Sequence, residues 1–125
     1  SDPTAKKLAK AIEVLNGATS KFSIYASPET AIQTYAILGD SNAVNLVKEV
    51  VKVIPKSSFG STQFRVGMGA DYSPEIRIDI VLTTMQVEIS SIKEELLRIG
   101  KQFHADESDP VDETLGHLYW RYWWD

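Results

Sequence analysis

The apolar positions of this chain change period several times, and each change predicts a new element. Asp2-Pro3 sets a capping carboxylate before a proline at the first helical position, and Ala5, Leu8, Ala9, Ile12 and Leu15 recur at helical spacing until Asn16-Gly17. Lys21 to Ala26 alternates through Phe22 and Ile24, which predicts a short strand. Ser27-Pro28-Glu29 repeats the helix opening, and Ala31, Ile32, Tyr35 and Ala36 carry that helix to Gly39. From Ser41, the positions Val44, Val47, Val51 and Ile54 share one face while Lys48, Glu49 and Lys52 fall on another. This predicts a third helix, stopped by Pro55. Lys56 to Ser61, rich in serine and glycine, reads as a linker too short to separate two domains.

The middle of the chain reads as a β-hairpin. Phe64, Val66 and Met68 alternate with Gln63, Arg65 and Gly67, and Ile76, Ile78, Ile80 and Leu82 alternate with Arg77, Asp79 and Val81, with Gly69 to Pro74 as the turn. Met85, Ile89, Ile92, Leu96, Ile99 and Phe103 then return to helical spacing. The capping box formed by Ser91 and Glu94 favours a helix that starts at Ser91, with Met85 to Ile89 as the end of a long strand. His104 to Pro110 reads as a polar loop, and Asp109-Pro110-Val111-Asp112 as a capped helical turn that Gly116 ends.

The last eight residues hold all three tryptophans and two of the five tyrosines. As a strand, they set Leu118, Trp120, Tyr122 and Trp124 on one face and Tyr119, Arg121 and Trp123 on the other, a pattern that suits a pleated surface. The element order after the first helix matches the β-α-β-β-α-β order of a ferredoxin-like sandwich. The expected architecture is one α+β domain over residues 1–125, with a sheet of about four strands, helices on one face and an extra N-terminal helix. Many unrelated functions share that order, so fold does not select one.

Composition narrows the choices. With 125 residues, 43% of them hydrophobic, the chain can bury a core without metal or disulfide staples. The absence of cysteine removes disulfides, thiolate zinc sites and cysteine nucleophiles. No apolar run approaches the roughly 18 residues that span a bilayer, so no membrane role is expected. Starting at Ser1 instead of methionine implies processing or excision from a longer chain; the compartment stays open, with a soluble cytoplasmic protein slightly favoured.

The net charge is −4, the wrong sign for a non-specific phosphate binder. It is also unevenly placed: residues 1–60 carry seven basic and five acidic side chains, whereas 86–125 carry four and nine. Five of those nine acids, Asp106, Glu107, Asp109, Asp112 and Glu113, directly precede the aromatic end.

Catalytic signals are weak. His104 and His117 flank the acidic segment and define the alternative reading, a metal-dependent enzyme or metal-binding protein centred on these two imidazoles and the 106–113 loop. Their spacing matches no helical ligand pair, and surface histidines beside a solvated loop are the simpler reading. The acidic run lacks the ligand order of an EF-hand, no Gly-x-Ser-x-Gly elbow occurs, and Gly67-x-Gly69 is not a dinucleotide fingerprint. No cofactor is expected. Ring stacking on nucleic acid is opposed by the five preceding acids.

Protein recognition accommodates both remaining features. Trp, Tyr and Arg dominate the energetics of interface centres, and an acidic rim accelerates encounter with a basic partner. The expectation is therefore a small acidic, non-catalytic binding module of inhibitor, immunity or assembly type. Tyr119, Trp120, Arg121, Trp123 and Trp124 are its anchors, and Asp106, Glu107, Asp109, Asp112 and Glu113 its rim. Against this, Trp120 and Tyr122 are better placed to close the core than to meet a partner. Homo-oligomerisation through the same rings is the nearest variant.

Overall fold

The computed structural model describes residues 23–37, 39–68, 74–82, 86–114 and 116–125. The expected N-terminal helix and the hairpin turn at 69–73 lie outside them. The described elements run β1 (Ser23–Ala26), α1 (Pro28–Ile37), α2 (Ser41–Val53), α3 (Lys56–Phe59), β2 (Gln63–Met68), β3 (Pro74–Val81), α4 (Gln86–Gln102), β4 (Glu107–Thr114) and β5 (His117–Trp123). This is an α+β fold, as expected.

Local chemistry accounts for the first helices. The Ser27 hydroxyl accepts from the Thr30 amide and opens α1. Gly39, at φ +72°, closes it: the Gly39 and Asp40 amides donate back to the Ala36 and Tyr35 carbonyls, the paired bonds of a Schellman ending. Asp40 then caps α2 by accepting from the Ala43 amide at 3.0 Å. The buried stripe of α2 is Ala43, Leu46, Val47 and Val50, rotated from the face expected; Val44 and Val51 flank it half-buried. The expected linker holds the one-turn helix α3. Ser58 and Thr62 are buried there, and the Thr62 hydroxyl donates to the Ser58 carbonyl at 2.8 Å.

The hairpin forms with Phe64 opposite Ile78 and Val66 opposite Ile76. β3 stops where its neighbour stops. The Leu82 amide donates to the carbonyl of Gly116, the turn residue before β5. A strand running on to Ile89 would have no ladder partner, so the backbone is helical from Gln86, five residues before the capping box.

The larger departure concerns residues 107–114. They are neither a loop nor a helical turn but the strand β4, antiparallel to β5. An edge had to be completed beside the ring-rich strand, whose outward backbone groups would otherwise go unpaired. Pro110 is accommodated because β4 is an edge strand and because the register shifts between Pro110 and Asp112. Gly116, at φ +87°, is the turn residue joining the two strands.

Among the described residues the sheet has five strands in the order β1-β2-β3-β5-β4. Every neighbouring pair is antiparallel, so the parallel pairing of a split β-α-β arrangement, and with it the ferredoxin-like order, is not formed. One face is the core. Phe64, Ile76, Ile78, Ile80, Leu118, Trp120 and Tyr122 from the strands cluster with Ala31 and Tyr35 of α1, Leu46, Val47 and Val50 of α2, and Ile92, Leu96 and Ile99 of α4.

Candidate functional site

The period of two along β5 sorts its rings into two sets with different work. Leu118, Trp120 and Tyr122 point into the core, and Trp124 packs half-buried against its edge. Their polar tips are satisfied inside the chain. Trp120 Nε1 donates to Ser108 Oγ at 3.3 Å, the Tyr122 hydroxyl to the Leu96 carbonyl at 2.6 Å, and Trp124 Nε1 to the Phe103 carbonyl at 3.0 Å. Burial also pushes the Tyr122 phenol above its usual pKa. Trp120 is 1% exposed, so a partner cannot reach it, and its expected role as an anchor gives way to one in the core.

The opposite face of β5 carries His117, Tyr119, Arg121 and Trp123. His117 and Tyr119 stack with centroids 6.2 Å apart and planes 13° from parallel. The Arg121 guanidinium lies 5.6 Å from the Trp123 ring centroid and pairs with Glu107. Tyr119 is 36% exposed, and Arg121 and Trp123 are half-buried. Cation, ring and carboxylate are thus held in a fixed arrangement by contacts within the chain.

The acids expected to form a rim lie along and just before β4. Register sets Glu107 opposite Trp123, Asp109 opposite Arg121 and Asp112 opposite Tyr119, so each aromatic or cationic outer position of β5 from 119 to 123 has an acidic neighbour. Glu113 lies on the other side of the register and pairs with Lys93 of α4. Asp106 precedes the strand, and its carboxylate accepts from the Asp125 amide at 2.7 Å. All five are exposed.

The histidines do not converge. His117 opens β5, and its Nδ1 lies 3.2 Å from Asp79 Oδ1. His104 lies beyond the other end of the hairpin, where the Asp106 amide donates to the Trp123 carbonyl. The intervening length of β5 spans about 20 Å at about 3.3 Å per residue, so the two imidazoles cannot share one ion. Among the described residues no group of three His, Asp or Glu side chains is arranged to hold a metal. His104 instead sits at φ 58° in a second Schellman ending, where its own amide and that of Ala105 donate to the Lys101 and Gly100 carbonyls.

Pairing across the sheet adds residues that sequence reasoning passed over. Arg65 of β2 is opposite Arg77 of β3, which is opposite Arg121 of β5, which is opposite Asp109 of β4. The alternation already put Arg65 and Arg77 opposite in phase to the apolar positions, but only the register joins them to Arg121. Comparison with protein-family models, curated proteins and solved structures finds no match, so this geometry carries the functional argument alone.

Proposed function

We propose that the protein is a small acidic, non-catalytic binding module of inhibitor, immunity or assembly type. Its contact surface is the outer face of β5 edged by β4, and its partner is another protein. One observation carries the reading: β5 divides its rings, so that Trp120 and Tyr122 build the core while Tyr119, Arg121 and Trp123 remain on the face away from the described helices. The stack and the cation-π contact hold these side chains in place, which lowers the entropy lost on docking. Glu107, Asp109 and Asp112 border them and draw basic groups of the partner toward the β4 side. Trp124, half-buried and hydrogen-bonded to α4's end, supports the surface from below.

The test is a double variant, Tyr119→Ser/Trp123→Ser, compared with wild type for retention of a partner from extracts of the native source. The expected result is loss of the partner with an unchanged far-ultraviolet spectrum and a cooperative urea transition, since Trp120 and Tyr122 keep the core in place. Recovery of the same proteins by both chains would overturn the proposal.

A further inference from the structure

We infer that Asp79 is a positioning residue of the contact surface: it holds the His117 ring, and through that ring sets Tyr119 in the orientation a protein partner meets. This rests on the protein-binding reading above and names what prepares the surface.

The starting point is a geometry that occurs twice along β5. Arg121 stands two residues before Trp123, lies 5.6 Å from its ring centroid and pairs with Glu107, the β4 residue opposite Trp123. His117 stands two residues before Tyr119, stacks on its ring and meets Asp79, the β3 residue opposite Tyr119. In each case the carboxylate faces the ring in register but pairs diagonally, with the side chain that packs on that ring. One brace comes from β4 and the other from β3.

The Asp79 side chain is only 16% exposed, so its oxygens have little water and need a donor. A carboxylate only accepts, so His117 Nδ1, 3.2 Å away, carries the proton between them. His117 is the first residue of β5 and its side chain is more exposed than that of Asp79. Without Asp79 the imidazole would turn about its own torsions; the hydrogen bond fixes its plane. A fixed plane is what a stack needs. The His117 and Tyr119 rings lie 13° from parallel with centroids 6.2 Å apart, within the range aromatic pairs prefer.

Strand side chains have two common χ1 wells, and the stack selects one for Tyr119. Selecting it before docking removes the cost of ordering one side chain, worth about fivefold in affinity. Asp79 need not touch the partner to have this effect. A carboxylate that served strand pairing alone would leave the Tyr119 rotamers unchanged when removed.

The test uses the full chain, labelled with carbon-13 and nitrogen-15. In wild type the neutral His117 ring is expected in its Nδ1–H form and Tyr119 in one χ1 well, read from ring nitrogen shifts and three-bond couplings. Asp79→Ala is expected to mix the His117 tautomers and to spread Tyr119 over two wells. Asp79→Asn, whose side-chain carbonyl still accepts, should keep both as in wild type. Partner captured from extracts on immobilised chain should leave Asp79→Ala about fivefold faster than wild type. The Trp120 indole signal reports an intact core, and His117→Ala, with the same expectation for Tyr119, serves if Asp79→Ala does not fold.

The inference is overturned if Tyr119 keeps one well in Asp79→Ala or His117→Ala, if Asp79→Asn fails to restore it, or if partner leaves Asp79→Ala and wild type at the same rate. Failure here with partner capture still lost in Tyr119→Ser/Trp123→Ser removes only this inference. Failure of that capture test, with Tyr119 loosened in Asp79→Ala, removes the functional reading and leaves Asp79 as the residue that holds Tyr119.

Discussion

Gly100 decides whether the acidic segment is a strand packed on α4. A β-carbon built there would fall 2.6 Å from Ser108 Cβ and 3.1 Å from Tyr122 Cε1, and closer still to Ser108 Oγ. Two effects of opposite sign meet in Gly100→Ala. The helix gains up to about 1 kcal/mol from the better propensity of alanine. Against that, the methyl must push β4 away by about 1 Å to restore an ordinary carbon contact of about 3.5 Å. Overpacking of this kind costs about 1–3 kcal/mol, and a clash with the root of one side chain and the ring of another belongs in the upper half of that range. The net expectation is destabilisation by about 1–2 kcal/mol. Urea unfolding reads it as a lower midpoint at unchanged slope. Ser108→Gly alone should also destabilise, because it removes the acceptor of Trp120 Nε1, but after Gly100→Ala it relieves the clash as well, so the two losses should fall short of additive by about 1 kcal/mol in the double-mutant cycle. Were 107–114 a solvated loop, the methyl would meet only the edge of the Tyr122 ring, and the gain in helix propensity would leave the variant at least as stable as wild type. A Gly100→Ala chain as stable as wild type, or more so, refutes the packing described for β4.

Three further outcomes follow from backbone strain and from buried hydroxyls. His104 occupies the left-handed region that Gly39 occupies at the equivalent place after α1, so His104→Gly should raise stability by about 1 kcal/mol, seen as a higher melting temperature; a lower one would mean its side chain makes an offsetting contact. Burial pushes the Tyr35 and Tyr122 phenols up, so the stability that depends on their protons is complete below about pH 10 and is lost as pH rises beyond it. Of the stability lost between pH 7 and pH 11, the Tyr35→Phe/Tyr122→Phe variant should be spared about 3 kcal/mol, and equal alkaline loss in both proteins would contradict this burial. At neutral pH, Tyr122→Phe should cost about 1 kcal/mol, because its hydroxyl donates to Leu96, whereas Tyr35→Phe should cost nothing, because the Tyr35 hydroxyl has no partner among the described residues.

What was legible in the sequence was what local chemistry decides. The Ser27 cap, the stop at Pro55 and the alternation of the hairpin and of β5 each express their element within a few residues. The start of α4 was misread because the signal at Ser91 and Glu94 is local, while the end of β3 is set by a neighbour that arrives more than thirty residues later. β4 was invisible for a related reason: an edge strand with one face in water needs few apolar positions, and its inward contact to α4 is made by Ser108 against Gly100. The division of rings on β5 was legible as a pattern, yet which face lay inside depended on where α4 packs.

The form of β4 bears on how a partner approaches. An edge strand offers unpaired backbone groups to any extended chain, and β4 carries the features that oppose such pairing. Pro110 removes a donor, Val111 is the extra residue where the register shifts, and charge recurs at Asp109, Asp112 and Glu113. Strand addition at this edge is therefore disfavoured, which on the binding reading proposed above leaves the face as the contact surface. Guarding an edge, or keeping a chain in solution, requires acids somewhere along the strand and is indifferent to their register. Here Glu107, Asp109 and Asp112 stand opposite Trp123, Arg121 and Tyr119, on the face those three present. That alignment pairs Glu107 with Arg121 across the two strands, and on the binding reading proposed above it also borders the contact face with negative charge.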